Sequence, residues 1–283
     1  MKTIITEPND PIKNNHPLMT IMHSLQRIVF SRRNAARLLS ALALPLFLPP
    51  LPAQTPAQST QLPVPPVKAK PSEPVQDFAG LRRYRKANAE LPALAPDENR
   101  VVFLGDSITD AWSRHHGEFF AGKPYVNRGI SGQTTQQMLI RFRPDVIALK
   151  PKVVVILAGI NDLAGNTGPV TPEEIEGNLI SMVELAKANG IRVVLSSILP
   201  ADCFPWRKNL PNPTATILSM NAWLKDYAAK NGCVYLDYFS AMADPQNALK
   251  AELAGDAVHP NKAGYSVMEP LAEKAIAESL TPR

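Results

Sequence analysis

The sequence predicts an α/β domain in which helices cover both faces of a parallel β-sheet, and two observations carry this prediction. From residue 101 onward, short apolar segments alternate with segments whose apolar residues recur at helical spacing. Several of the helical segments also have recognisable start and stop signals. Strands that alternate with helices need crossover connections, which produce a parallel sheet between two helical layers. Such a sheet places functional residues at the carboxyl ends of its strands.

Five short apolar runs are the candidate strands. They are Val101–Leu104, Tyr125–Asn127, Val153–Ala158, Arg192–Ser197 and Val234–Asp237. Between the third and fourth runs, Thr171 and Glu174 form a capping box with Pro172 at the first helical position. This signal begins a helix, and Gly190 ends it directly before the next strand.

Three more helices are predicted. A helix after the fourth strand carries an apolar stripe that ends at Asn231-Gly232. A terminal helix begins near Tyr265, and Pro270 within it predicts a kink. A leading helix is predicted from the apolar residues Leu81, Tyr84 and Leu91, with basic residues between them on its solvated side.

The first 75 residues have the composition of a leader and a linker. Arginines precede an apolar run from Leu38 to Leu51, and small residues follow it, which is the order of a secretory signal peptide. The run is too short and proline-broken for a membrane span of about 20 residues, although an uncleaved anchor is the alternative. We therefore predict an extension with a signal peptide over residues 1–53, a proline-rich linker over 54–75 and one folded domain over 76–283. This organisation predicts export to the periplasm or the cell exterior, with membrane contact only during export.

Charge and cysteine content limit the function classes. Residues 1–100 carry 13 Lys and Arg against 7 Asp and Glu, whereas residues 101–283 carry 17 against 18. The basic character thus belongs to the leader, and the body gives no electrostatic reason to expect a nucleic-acid partner. Cys203 and Cys233 either pair in an oxidising compartment or remain as two buried thiols, and two cysteines do not complete a zinc site. His115-His116 has no neighbouring ligand cluster and is expected on a solvated helix face, so no metal is predicted.

Polar residues follow three of the predicted strands and precede the last helix. The segments are Gly105-Asp106-Ser107, Asn127–Gly132, Gly159–Asp162 and Asp256–His259. Each has an ordinary structural explanation when taken singly, as a helix cap, a turn or a set of backbone hydrogen bonds. Asp106 and Asp162 in particular are expected to hold their own turns. The four segments in this order are what indicates chemistry.

The four segments resemble the blocks of the GDSL esterase family, also called SGNH hydrolases. The matching stretches are GDSIT at 105–109, NRGISG at 127–132, GIND at 159–162 and DAVH at 256–259, and the resemblance covers about residues 75–280. The serine does not lie in the Gly-x-Ser-x-Gly elbow of α/β-hydrolases, and the acid lies only three residues before the histidine. The resemblance implies a flavodoxin-like α/β/α sandwich with five parallel strands.

The resemblance also implies roles for individual residues. Ser107 would be the nucleophile, His259 the general base and Asp256 the residue that orients His259. The backbone N–H groups of Ser107 and Gly132 and the side-chain amide of Asn161 would form the oxyanion hole. Gly132 suits that task because a side chain there could block the approach of the backbone. No metal or organic cofactor is required.

The predicted activity is hydrolysis of carboxylic esters, with a small-molecule or polysaccharide ester as substrate. The NRGISGQTT and GIND stretches resemble the acetylhydrolase and carbohydrate-esterase branch, which favours short acyl groups, and no long apolar insertion resembles a lipase lid. Arg128, Phe204 and Trp206 are candidate pocket residues, although an ion pair for Arg128 and loop packing for the aromatics are the simpler explanations. The alternatives are a lysophospholipase or thioesterase for longer chains, and a silent carbohydrate- or lipid-binding protein of the same fold. The oligomeric state stays open.

Overall fold

Five parallel strands form one sheet in the computed structural model, which describes residues 76–281. The strands are β1 Val101–Gly105, β2 Tyr125–Gly129, β3 Val153–Leu157, β4 Arg192–Ser196 and β5 Val234–Leu236. All five predicted strands are therefore confirmed, with ends that differ by at most two residues. The predicted leader over 1–53 and linker over 54–75 lie outside the described residues.

Eight α-helices accompany the sheet in the described part of the chain. They are α1 Arg85–Ala89, α2 Ser107–His115, α3 Thr135–Asp145, α4 Ile160–Leu163, α5 Pro172–Ala188, α6 Thr214–Lys230, α7 Tyr238–Met242 and α8 Lys262–Leu280. The capping box at Thr171 is present, and Gly190 takes a φ of 69° just after α5, as the sequence predicts. The helix α8 continues through Pro270.

The predicted leading helix is present but is shorter than the spacing of Leu81, Tyr84 and Leu91 implies, and none of these three residues lies within it. Only Arg85–Ala89 is helical, and none of its residues is buried. Leu81 lies in the turn before it and is exposed, while Leu91 follows its end. The segment before β1 contacts the rest of the domain through hydrogen bonds of its polar groups, which are described below.

The strand order in the sheet is β2-β1-β3-β4-β5. A hydrophobic core covers each of the two faces of this sheet. On one face, Val102 and Ile156 pack with residues of α3, α5 and α6. On the other face, Phe103 and Val155 pack with residues of α2, α7 and α8. Both faces of the strands are buried, as expected for a parallel sheet, and the predicted three-layer flavodoxin-like sandwich is confirmed.

The direction of winding reverses between β1 and β3, which are adjacent in the sheet although β2 lies between them in the chain. In open parallel sheets a crevice opens at such a point, beyond the carboxyl ends of the strands. The segments that follow β1 and β3 contain Ser107 and Asn161, respectively. Within residues 76–281, no helix combines the length and the hydropathy that a membrane span needs.

Two expectations about single residues need correction. No disulfide joins Cys203 and Cys233, and Cys203 is exposed rather than buried. His116 does not lie on a solvated face, because it is buried with its Nδ1 2.8 Å from a carboxylate oxygen of Glu269. The ring of His115 stacks on Tyr265. In the described part of the chain, no cluster of three or more His, Cys, Asp and Glu side chains could hold a metal ion.

Candidate active site

Ser107 is the first residue of α2, directly after the central strand β1. Asp106 caps this helix, since its Oδ1 accepts from the backbone N–H of Ile108 at 3.0 Å. The first N–H groups of a helix have no acceptor within the helix. The N–H of Ser107 therefore points out of the helix beside its own hydroxyl, at the edge of the sheet where the crevice opens.

A hydrogen-bonded chain runs from Ser107 through His259 to Asp256. Ser107 Oγ lies 2.9 Å from His259 Nε2, and His259 Nδ1 lies 2.8 Å from Asp256 Oδ2. When Nδ1–H donates to the carboxylate, Nε2 is left as the acceptor for the serine hydroxyl proton. The distance from nucleophile to base is within reach for direct proton transfer.

Asp256 is held by its own loop as well as by the ring of His259. Its Oδ1 accepts from the backbone N–H groups of Val258 and His259, each at 2.8 Å. Burial works to raise the pKa of the Asp256 carboxyl, but these N–H groups and the His259 ring outweigh burial and hold that pKa below its ordinary value. Asp256 is therefore a carboxylate at neutral pH.

Gly132 lies in the loop after β2 and adopts a φ of 80°, a region that side chains with a Cβ rarely enter. A Cβ added there would meet only Asn166 Nδ2, at 3.9 Å. Space within the protein therefore does not require glycine at this position, whereas the backbone conformation does. Space is limiting at Gly129 instead, where a Cβ would lie 2.1 Å from the backbone nitrogen of Asp110 in α2.

Asn161 is buried in the short helix α4, which follows β3. Its Nδ2 donates to the backbone carbonyl of Gln133 at 3.1 Å, which uses one of its two N–H donors. Its Oδ1 accepts from Asn166 Nδ2 at 2.8 Å. The amide is thus held from both sides, and the N–H that Gln133 does not take is available to a ligand.

Two buried carboxyl groups, those of Asp106 and Asp162, are next to Ser107 and Asn161 in the chain. Burial raises the pKa of Asp106 to about 7, and its Oδ2 has no hydrogen-bond partner in the described part of the chain. Burial also raises the pKa of Asp162 to about 6, although the hydroxyl and N–H of Thr135 donate to it. Asp162 therefore secures the start of α3 rather than its own turn, which corrects the expectation from the sequence.

The three candidate pocket residues have different environments. The indole of Trp206 is 40% exposed, and its ring centre lies 5.9 Å from that of His259. Phe204 is buried and packs against Trp206, with the ring centres 5.7 Å apart. Trp206 thus lies beside the ring of His259, and Phe204 packs against Trp206 from the protein interior.

Arg128 is not a pocket residue. Its side chain is buried, donates to Asn88 Oδ1 and to the carbonyl of Asn127, and lies over the ring of Tyr84. Among residues 76–281, no carboxylate lies within ion-pair distance of Arg128, so the ion pair that the sequence suggested as the simpler explanation is not formed there. The guanidinium joins β2 to the segment that precedes β1.

Sequence reasoning missed three residues that connect the parts of the site. Arg141 is fully buried and donates to the carbonyl of Gly105, to Gln133 Oε1 and to Asp145 Oδ2. Gln133 also donates from Nε2 to the carbonyl of Ala79. Asn166 contacts both Gly132 and Asn161. Their contacts with Gly105, Ala79 and Gly132 join residues that are 34 to 54 positions apart, which no local pattern could indicate. For Asn166 the one available signal is its place five residues after Asn161.

The comparisons with known proteins agree with this geometry. The model of the GDSL-like lipase/acylhydrolase family matches residues 103–267. An acetylxylan esterase of Geobacillus stearothermophilus is 29% identical over 201 residues, which are 60% of this chain and 90% of that protein. The uncharacterized lipoprotein YqeF of Bacillus subtilis is 36% identical over 117 residues, 35% of this chain and 48% of its own. The crystal structure of a GDSL-like lipase from Bacteroides thetaiotaomicron is 46% identical, superposes with a TM-score of 0.71, and the match covers 72% of this chain and 100% of that one.

Proposed function

The chain belongs to the GDSL-like lipase/acylhydrolase family and is a carboxylic ester hydrolase, and from this premise we propose that it is an exported serine esterase acting on short acyl esters. The observation that carries the assignment of the nucleophile is the chain of contacts from Ser107 through His259 to Asp256, at 2.9 and 2.8 Å. A serine hydroxyl becomes an effective nucleophile when an adjacent imidazole can take its proton.

In the proposed reaction, Ser107 Oγ attacks the ester carbonyl carbon while His259 Nε2 takes the hydroxyl proton. The negative charge that develops on the carbonyl oxygen is stabilised by the N–H groups of Ser107 and Gly132 and by Asn161 Nδ2. The C–O bond to the alcohol then breaks, and His259 returns the proton to the leaving oxygen. Water, deprotonated by the same imidazole, hydrolyses the acyl-enzyme and releases the carboxylic acid. The Asp256 carboxylate stabilises the imidazolium in both halves of the reaction.

The proposed substrates are acetyl or similarly short esters of carbohydrates or small alcohols. Two observations support this choice. The acetylxylan esterase is similar over most of its own length, and the indole of Trp206 stands close to the ring of His259, where it would limit the size of the groups bound beside Ser107.

A second candidate, a lysophospholipase or thioesterase for longer acyl chains, is favoured by one feature. A cavity of about 630 Å³ with apolar walls that include Leu163, Val170 and Phe204 lies beside Asp162. That volume is within the usual range for ligand pockets. Neither Ser107 nor His259 lines this cavity, however. We therefore rank the short-chain ester first.

Hydrolysis of p-nitrophenyl esters from acetate to palmitate tests both candidates. We expect kcat/KM to fall with chain length and to drop at least about 10⁴-fold in Ser107→Ala. Ser266→Ala is the matched control, because Ser266 Oγ also lies beside an imidazole, 3.3 Å from His116 Nε2, but within the N-terminal part of α8. Activity that peaks at long chains would favour the second candidate. Equal rates for Ser107→Ala and the control would refute Ser107 as the nucleophile.

A further inference from the structure

We propose that Asn166 is a positioning residue that holds the oxyanion-hole donors in place through hydrogen bonds that begin at Trp206. The inference rests on the proposed function, because it concerns the residues assigned to the oxyanion hole. It adds two residues that the four sequence blocks do not contain.

Every hydrogen-bonding group of the Asn166 side chain has a partner. Its Nδ2 donates to Asn161 Oδ1 at 2.8 Å and to the carbonyl of Gly132 at 3.1 Å, and its Oδ1 accepts from Trp206 Nε1 at 3.0 Å. Its backbone N–H also donates to the carbonyl of Asn161, at 3.0 Å. One half-buried side chain therefore contacts both of the non-nucleophile residues that are assigned to the oxyanion hole.

The direction of this chain of hydrogen bonds is set at Trp206. An indole N–H can only donate, so the Asn166 group that faces it must be the oxygen. The Asn166 amide nitrogen then faces Gly132 and Asn161. Asn161 in turn presents its Oδ1 to Asn166 and keeps Nδ2 for the carbonyl of Gln133 and for the oxyanion.

A reversed amide at Asn166 would be unfavourable at every contact. Its oxygen would face the carbonyl of Gly132 and the Oδ1 of Asn161, and its nitrogen would face the indole N–H of Trp206. Electrostatic stabilisation of an oxyanion depends on donors that are oriented before the reaction begins. Trp206 and Asn166 together supply that orientation to Asn161.

The neighbouring residue Arg207 provides a matched control. Its guanidinium donates to the carbonyl of Gly165 at 2.9 Å. This bond joins the same two loops as the bond from Trp206 to Asn166, but it reaches neither Gly132 nor Asn161. The variant Arg207→Ala therefore tests whether weaker attachment of the two loops is enough by itself to lower kcat.

The test measures kcat and KM for p-nitrophenyl acetate in Asn166→Ala, Trp206→Phe, Arg207→Ala, Asn161→Ala and the double variant Asn161→Ala/Asn166→Ala. Loss of one oxyanion donor costs about 10²–10³-fold in kcat, and loss of its orientation should cost part of that. We expect Asn166→Ala to lower kcat about 10-fold or more, with KM changed less than about 3-fold. Trp206→Phe, which keeps the aromatic wall but loses the donor, should lower kcat about 3-fold or more. Arg207→Ala should retain kcat.

The decisive comparison is made in the Asn161→Ala background. If Asn166 acts mainly through Asn161, Asn166→Ala should change kcat there by less than about 3-fold, and the part that remains comes from the contact with the Gly132 carbonyl. A full, additive loss in that background, or an equal loss in Arg207→Ala, would overturn the proposal, as would unchanged kcat in Trp206→Phe. The last variant also decides the question if Asn166→Ala does not fold. Activity that survives Ser107→Ala would instead refute the proposed function itself.

Discussion

At the residue scale, the single carboxylate of Asp256 both shapes its loop and orients the imidazole. One oxygen accepts from two backbone N–H groups of the loop, and the other accepts from His259 Nδ1. The carboxylate of Asp256 can reach the ring of His259 because the two residues are three positions apart in one loop. Val258 lies between them and is buried. Short spacing therefore makes the pair a rigid local unit, which needs only one long-range contact, to Ser107.

The protonation of Asp106 should affect stability between acidic and neutral pH. Its carboxyl is fully buried, and burial raises its pKa from 3.8 to about 7. Between these values the folded protein retains a proton that the unfolded chain has lost. Stability therefore falls as the pH rises from about 4 to about 7, and is constant with respect to this group above that range.

Asp106→Asn should remove this pH dependence while keeping an oxygen to cap α2. We expect the Tm of the variant minus that of the wild type to increase between pH 5 and pH 8, by roughly 5 °C or more. Thermal unfolding followed by circular dichroism at several pH values measures the difference. A difference that stays constant across this range would show that Asp106 ionises alike in the folded and unfolded states. Asp162 is unchanged in both proteins, so its own titration largely cancels.

At the element scale, the segment 76–90 supports the loop that carries Gly132. The hydroxyl of Tyr84 donates to the carbonyl of Gly129, and the carbonyl of Ala79 accepts from Gln133. Asn88 donates to Asp145 Oδ1 and accepts from Arg128 Nε, each at 2.8 Å. The family model begins at residue 103, so this segment lies outside the residues that it matches.

Removal of the Asn88 side chain should leave two buried charged groups short of a partner. Asn88→Ala is expected to cost about 1–3 kcal/mol, which corresponds to roughly 3–10 °C in Tm for a domain of this size. The control is Arg82→Ala, on the exposed side of the same segment, with an expected change below about 0.5 kcal/mol. Differential scanning calorimetry of both variants makes the comparison. Equal Tm values would mean that water replaces the amide at no cost.

At the scale of the whole molecule, the proposal is that a leader and linker deliver one autonomous domain to the cell exterior. The described residues belong to a compact unit that spans Lys68–Arg283. One relative, from Bacillus subtilis, is named a lipoprotein, and its similarity over 117 residues supports the proposal of export.

Expression of the full chain beside residues 76–283 tests this organisation. We expect the short form to keep the kcat/KM of the purified full chain within about 2-fold and to stay in the bacterial cytoplasm. The full chain should appear in the periplasm or medium, shortened at its N-terminus by mass spectrometry. Full-length chain retained in the cytoplasm would contradict export. An unfolded short form would contradict the autonomous domain.

The sequence by itself determined the fold class, the five strands and the Ser107–Asp256–His259 candidates, because all of these leave local marks. A buried parallel strand is a short apolar run, and helix caps follow from backbone hydrogen bonding within a few residues. The catalytic candidates lie in short blocks whose order is distinctive. The same local reasoning failed for the segment before β1, where helical spacing of Leu81 and Leu91 coincides with a single turn of exposed helix.

The tertiary structure alone decided the network around the site. Four residues of this network bind partners that lie up to 57 positions away: Arg141, Gln133, Asn88 and Asn166. The type and position of a polar residue in the sequence do not indicate which distant group it will bind. It also decided that Arg128 is buried in the support of β2 and that Trp206 stands beside His259. Local sequence determines which backbone segments form, because their energetics are local. The direction of a side-chain amide depends on groups brought together only when those segments pack.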